Sequence, residues 1–223
     1  MLPAGHEPLM LSAARRALVA AAPVAVPVSM WALFRVLAGQ LTPRAAYNVG
    51  FAVYWLGWCL GFPVYVLGPR GALHVLRTGR GPTAGEWALL LFPVAGGAGT
   101  QLLPHRREID AQVALVMAGT AVLNAGGEEL LWRGMFLAAF PRNPVVGAVW
   151  PLVGFTVWHL APQVILPSRM GRGRFLLGAA AVGLASTVTA WRGGGLRAVL
   201  LPHIATDACG VAAARYRLGR AAP

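Results

Sequence analysis

The chain has 223 residues, enough for one domain. It is 57% hydrophobic and 12% charged, with a mean hydropathy of +0.61; with its apolar residues in long uninterrupted runs, this excludes a soluble globular domain and implies a polytopic α-helical membrane protein. The net charge of +12 comes from 19 arginines and no lysine, set in short clusters between apolar runs, so the membrane surface accounts for it better than nucleic acid does.

The missing lysines, with heavy use of Ala, Gly, Arg and Pro, suggest a GC-rich bacterial genome and hence a bacterial inner membrane. Residues 1–16 read as a solvated tail with His6 and Glu7 at the surface. Arg15 and Arg16 lead straight into an apolar run, so no cleavable signal peptide is expected. The first span is predicted at about 17–38, bent at Pro23 and Pro27, with Arg35 snorkelling to the interface. The second, 45–69, carries Tyr47, Tyr54, Trp55, Trp58 and Tyr65, which read as an aromatic belt or ordinary helix packing. Residues 70–86, with Arg70, His74, Arg77 and Arg80, read as the longest polar connection. The third span, 87–104, has a Gly96-Gly97-Ala98-Gly99 patch that admits a neighbouring helix closely, and the charged turn 105–110 follows it.

Segment 111–140 comes next. It is free of charge except for Glu128, Glu129 and Arg133. At ~1.5 Å per residue its 30 residues span about 45 Å, more than a roughly 30 Å hydrocarbon core requires. It reads as one long tilted helix or as a span plus a re-entrant piece, with depth favouring the single helix. After the break at 141–144, a fifth run occupies 143–168 with His159 in its central part. A sixth covers 175–191, a seventh 198–214 with His203 near one end, and an arginine-rich tail closes the chain. Seven spans divide the arginines eight to ten between the two sides, too even for the positive-inside rule to give an orientation. Residues 1–223 form a single integral-membrane domain in this reading, its core at about 111–214. Cys59 and Cys209 lie in apolar runs and read as small buried hydrophobes, not as a disulfide or zinc framework.

Burying an ion in hydrocarbon costs several kcal/mol, so ionisable residues inside spans are functional candidates. Glu129 and Arg133 stand i,i+4 on one helix face, which reads as a structural ion pair and leaves Glu128 without a partner. Asn124 lies one turn before Glu128 on the same face. His159, and His203 with Asp207 at i,i+4, are the other ionisable groups within spans. Two histidines and three carboxylates in three spans are expected to converge, since singly they are too costly to bury. Two chemistries suit such a cluster. A carboxylate and an imidazole hold and deprotonate a water while other donors stabilise the oxyanion, or the histidines and a carboxylate bind a divalent metal such as zinc. No His-Glu-x-x-His, Gly-x-Ser-x-Gly, P-loop or Rossmann pattern occurs.

Glu128-Glu129-x-x-x-Arg133, Phe155-x-x-x-His159 and His203-x-x-x-Asp207 together resemble the three ordered motifs of the CPBP (CAAX protease and bacteriocin-processing, also called Abi) intramembrane endopeptidases. The resemblance implies an all-α fold of about seven or eight membrane helices, with the motif helices around a cavity open to one side of the bilayer, and peptide-bond hydrolysis near the membrane surface. It implies Glu128 as the general base activating water, assisted by His159. Glu129 would support the site through Arg133, and His203 with the fourth residue after it would bind the oxyanion. Family members are described as glutamic-type and metal-independent, older descriptions calling them metalloproteases, so no cofactor is expected; a metal, if bound, would use His159, His203 and Asp207. The last position is often Asn in the family, and an ionised carboxylate cannot donate. Asp207 is then kept neutral, or orients His203, or shifts the balance toward a metal.

The expected partners are the lipid bilayer and a membrane-anchored peptide or protein substrate: a leader or sorting segment, a small peptide toxin, or an anti-sigma-type regulator. The contrasting reading is a non-enzymatic protein, a proton-coupled transporter or a peptide-toxin immunity protein, using the same buried Glu/His cluster.

Overall fold

The first four helices each start where the sequence supplies a capping side chain. The computed structural model describes residues 11–168 and 170–210; the N-terminal tail with His6 and Glu7, residues 211–214 of the seventh run and the arginine-rich tail lie outside them. Helix α1 (Ala13–Gln40) begins at Ser12, whose hydroxyl accepts from Arg15 N at 3.3 Å. Helix α2 (Pro43–Arg77) begins at Thr42 with Pro43 in its first turn. Helix α3 (Ala84–Glu108) opens with a capping box between Thr83 and Glu86. Helix α4 (111–139) is capped by Asp110, whose carboxylate accepts from Val113 N at 2.7 Å. Helices α5 (Val145–Val164), α6 (Arg172–Gly193) and α7 (Leu200–Gly210) complete the bundle. Among the described residues there are seven helices and no strand, an all-α polytopic fold.

Five of them, α1, α2, α3, α5 and α6, are long and apolar enough to cross a membrane. Helix α4 carries the charged motif, and the described part of α7 is 11 residues long. Segment 111–139 is one continuous helix with a wider turn at Leu130–Gly134, not a span plus a re-entrant piece. The segment expected to be a polar connection from residue 70 is helical through Arg77. Gly68, at φ 73° and ψ 160°, breaks α2 just before Pro69, and the helix then resumes. Helix α5 also differs from expectation. Its α-helical part ends at Trp158, and His159 caps that end instead of lying mid-helix. Pro162 has no N–H to give the Trp158 carbonyl and its ring clashes there, so Leu160 and Ala161 bond back three residues instead of four.

Polarity is inverted relative to a water-soluble protein. Leu56, Phe92, Leu115, Leu177 and Leu201 point outward, while Glu128, Glu129, Arg133 and His203 are sealed inside. Helix α1 packs on α5 and on the start of α2, α5 packs on α6, and α4 lies between α2 and α7. Helix α3 is peripheral, seated on α6 and α7. There Gly97 does the work expected of the glycine patch: a Cβ at this position would come within 3.1 Å of Gly210 N. Cys59 is buried and Cys209 half-buried, both as free thiols.

The loop after α6 is tied to the end of α2 by backbone bonds: Leu196 N to Val75 O at 3.2 Å, Arg197 N to Thr78 O at 3.0 Å and Arg80 N to Gly193 O at 3.0 Å. Beside it Arg80 forks onto Glu86 with two 2.7 Å bonds, which explains how that glutamate tolerates burial. This join fixes where α7 starts, and with it the position of His203 in the first turn.

Gly154 sets the approach of α5 to α1 and α4. A Cβ there would lie 2.6 Å from Pro23 Cα and 2.8 Å from Trp132 Cζ3. We expect Gly154→Ala to destabilise the bundle by about 1–3 kcal/mol through overpacking. Thermal unfolding in detergent would show this as a lowered midpoint; an unchanged midpoint would mean that the helices part there without cost.

Candidate active site

Glu128 and Glu129 are adjacent, so on a helix they point about 100° apart, and α4 delivers them to different neighbours. Glu129 turns toward α6 and α7. Its Oε1 accepts from Arg133 Nη1 at 3.3 Å and from His203 Nδ1 at 2.7 Å. Arg133 is held from three further directions: Nε donates to Thr187 Oγ1 at 3.3 Å, Nη2 donates to the Gly183 carbonyl at 3.3 Å, and the guanidinium lies 4.2 Å from the centre of the Phe155 ring. One turn of helix therefore binds α4 to α5 and α6 as well as neutralising Glu129. The wider turn at Leu130–Gly134 falls on this pair, a distortion that recurs at functional sites.

Glu128 does have partners, contrary to the reading of α4 alone. They are aromatic and come from other helices. Tyr54 Oη donates to Glu128 Oε1 at 3.0 Å, and Trp158 Nε1 donates to the same oxygen at 3.0 Å. Trp132 Nε1 in turn donates to Tyr54 Oη at 2.9 Å, and the Tyr54 and Trp158 rings stack at 3.6 Å with 17° between their planes. Oε1 is thus saturated by two donors, and Oε2 is the oxygen turned toward His203, at 3.7 Å from Nε2.

His203 sits between the acids. Because a carboxylate accepts, the 2.7 Å contact to Glu129 assigns its Nδ1 a proton and orients the ring. Nε2 then faces Glu128 Oε2 and Asp207 Oδ1, each 3.7 Å away, too long for a direct hydrogen bond. Asn124 joins the other edge. Its Nδ2 donates to Asp207 Oδ2 at 2.9 Å, while Trp55 Nε1 donates to its Oδ1 at 2.9 Å.

His159 meets the cluster through ring contacts. Its Nδ1 is 2.7 Å from the Phe155 carbonyl, which can only accept, so Nδ1 carries the proton and Nε2 is the acceptor in the neutral ring. Phe155 lies between the two histidines, 4.7 Å from the His159 ring and 6.2 Å from the His203 ring. The structure therefore brings Glu128, Glu129, Arg133, His203, Asp207 and Asn124 together directly, and His159 by way of Phe155 and Trp158.

His159, His203 and Asp207 do not fit a metal. Among the described residues no three His, Cys, Asp or Glu side chains are grouped to hold an ion, and both His203 nitrogens face carboxylates. We route no step through one.

Residues missed from the sequence are Tyr54, Trp55, Trp132 and Trp158, along with Thr187. The usable signal was chemical: a tyrosine or tryptophan deep in an apolar run needs a partner for its polar atom.

An all-helical bundle with an apolar exterior and a sealed acid–histidine cluster is an integral membrane protein with an enzyme-like centre. Residues 110–209 match the sequence model of the type II CAAX prenyl endopeptidase Rce1-like family. The motif-bearing stretch is thus similar to that family of CAAX protease-type hydrolases, in agreement with the three-motif resemblance. Neither the curated proteins nor the solved structures contain a match to the chain.

Removing Arg133 would leave Glu129 sealed with His203 as its remaining ionic partner. We expect Arg133→Ala to cost about 3–5 kcal/mol and to lower folded yield sharply, with Arg133→Lys intermediate because an ammonium cannot fork to Thr187 and Gly183. Monodisperse yield by size exclusion reads this out. Normal yield for Arg133→Ala would remove its structural role.

Proposed function

We propose that this protein is an intramembrane endopeptidase of the glutamic type, resident in a bacterial inner membrane, that hydrolyses a peptide bond in a membrane-embedded or membrane-proximal segment. The observation that carries the reading is the asymmetric hold on Glu128. One oxygen is fixed by two donors, and the other stands 3.7 Å from His203 Nε2, beyond hydrogen-bond distance. In this reading Glu128 Oε2 accepts a proton from a water as its oxygen bonds to the scissile carbonyl carbon, and the carbonyl π pair moves onto oxygen. The tetrahedral species then collapses. Its C–N bond breaks, the proton held by Glu128 passes to the leaving nitrogen, and an acid and an amine result with Glu128 regenerated.

Glu129 is the residue that orients His203, much as a buried carboxylate orients the imidazole and stabilises the imidazolium in a hydrolase triad. With carboxylates beside both of its nitrogens, His203 acts in this reading as the imidazolium, so Nε2 also carries a hydrogen and presents it to the developing oxyanion. His159, with its acceptor nitrogen Nε2 available in the neutral ring, assists in holding the water. Access is from one side: Glu128, Glu129 and His203 are sealed, whereas His159, Asn124 and Asp207 are half-buried and form the open edge. The reading involves no metal.

The test uses the full-length protein in liposomes with two quenched fluorogenic peptides, one bearing a farnesylated C-terminal CAAX tail and one an unprenylated apolar helix. Glu128→Gln keeps size and hydrogen bonding, so it should fold and abolish cleavage; cleavage at the wild-type rate would overturn the reading. Wild-type activity should survive a strong chelator. Loss on chelation with recovery on adding zinc would replace the metal-free mechanism while leaving the protease reading in place.

Tyr54→Phe preserves the stack on Trp158 and removes one donor from Oε1. A hydrogen bond to a charged group is worth about 1.5–3 kcal/mol, so we expect kcat to fall about 10-fold or more with little change in KM. An unaltered kcat would mean that Glu128 is positioned without the phenol.

A further inference from the structure

Peptide hydrolysis places a negative charge on the former carbonyl oxygen, and a site that accelerates it needs hydrogen-bond donors aimed there. Among the described residues this site is rich in acceptors, and most of its donors are committed. The N–H groups of Trp132 and Trp158 and the hydroxyl of Tyr54 are committed to the Glu128 network, and Trp55 N–H is committed to Asn124. The hydroxyls of Thr156 and Thr206 bond back to Leu152 and Pro202 carbonyls. Arg133 is spent on Glu129, Thr187 and Gly183 and is sealed behind Phe155. Asp207, where the resembling motif often has an amide, accepts in its ionised form.

Building on the hydrolytic reading above, we propose that Asn124 is a catalytic residue of this site: one N–H of its side-chain amide binds the oxyanion beside His203 Nε2–H, while Asp207 holds the other. The amide cannot be turned round. Indole N–H is a donor only, so the Trp55 contact fixes Oδ1, and the Asp207 carboxylate fixes Nδ2. An sp² nitrogen carries two hydrogens about 120° apart, so the bond to Asp207 leaves the second pointing elsewhere. Asn124 is half-buried at the open edge, where a substrate arrives, and its place one turn before Glu128 puts donor and base about 6 Å apart along the same helix face. Asp207 is then the residue that holds the donor. The amide has moved from α7 to α4, and the carboxylate opposite it is its acceptor.

The experiment compares wild type, Asn124→Ala, Asp207→Asn, the double variant and Glu128→Gln on the two fluorogenic peptides. It adds equilibrium binding of a phosphonate analogue of each peptide, which carries a tetrahedral anion and is not cut. Asn124→Ala should lower kcat about 10²–10³-fold with KM within about threefold, and should weaken phosphonate binding without weakening binding of the uncut peptide to the Glu128→Gln background. Asp207→Asn in the Asn124→Ala background should recover at least about tenfold of the loss, because it returns an amide to the same place; a purely structural defect at Asn124 would not be repaired from α7. Should Asn124→Ala not fold, the near-isosteric Asn124→Leu carries the same comparison.

A folded Asn124 variant with kcat and phosphonate affinity within about threefold of wild type would overturn the assignment, as would a double variant with no recovery. If Glu128→Gln is inactive while Asn124→Ala is not, this inference alone fails. If Glu128→Gln cleaves normally, the hydrolytic reading fails first. If wild type cuts neither peptide, phosphonate binding decides: loss of affinity on Asn124→Ala supports the donor, and unchanged affinity refutes it.

Discussion

A carboxylate in hydrocarbon has to be solvated by the protein itself, and the Glu128–Glu129 doublet makes that demand twice at one level of the bundle. Neither acid is satisfied within α4 alone. Glu129 requires Arg133 and His203, and Arg133 in turn requires the Thr187 hydroxyl and the Gly183 carbonyl. Glu128 requires Tyr54 from α2 and Trp158 from α5. Helices α2, α5, α6 and α7 are therefore held around α4 by the need to complete these two hydrogen-bond shells, and the apolar contacts fill in around them. Between apolar helices in lipid there is little hydrophobic driving force, which gives such polar contacts more influence over which helices meet.

The two acids are treated differently. Glu129 is enclosed by a cation and an imidazole and serves as a fixed anion. Glu128 has one oxygen tied down by neutral donors and the other 3.7 Å from His203 Nε2. Neutral donors steady a carboxylate without cancelling its charge as an arginine would. The indole–phenol–carboxylate chain from Trp132 through Tyr54 thus holds Glu128 in place without pairing it to a cation.

Part of this shell lies outside the stretch that matches the Rce1-like family. The match covers 110–209, whereas Tyr54 and Trp55 come from α2, where the helix runs through a wider turn over Tyr54–Gly61. The N-terminal helices are thus more than membrane ballast. They carry the donors for Glu128 Oε1 and Asn124 Oδ1, and Pro23 of α1 forms the surface against which Gly154 seats α5.

The membrane class, the all-helical fold, and the candidacy of Glu128, Glu129, Arg133, His159 and the His203–Asp207 pair as ionisable groups inside apolar runs were legible in the sequence, because each follows from local facts: apolar run length, helical spacing, and the cost of an ion in hydrocarbon. So was the Glu129–Arg133 pair, whose partners are one turn apart. The aromatic partners of Glu128 were not legible. Tyr54 is 74 residues away and Trp158 is 30, and such pairings are set by which helices pack together and at what rotation, which no local period encodes. For the same reason Trp55 looked like belt or packing and Glu86 like part of a solvated connection, until tertiary contacts gave each a buried partner. His159 was found by motif but misplaced within its helix, because the effect of Pro162 is to end α5 early and leave the imidazole at the helix end, toward the open edge of the site. Spacing along the chain determines which side chains share a face; only the packing of the helices decides which of them meet, and therefore which oxygen of Glu128 is left facing His203.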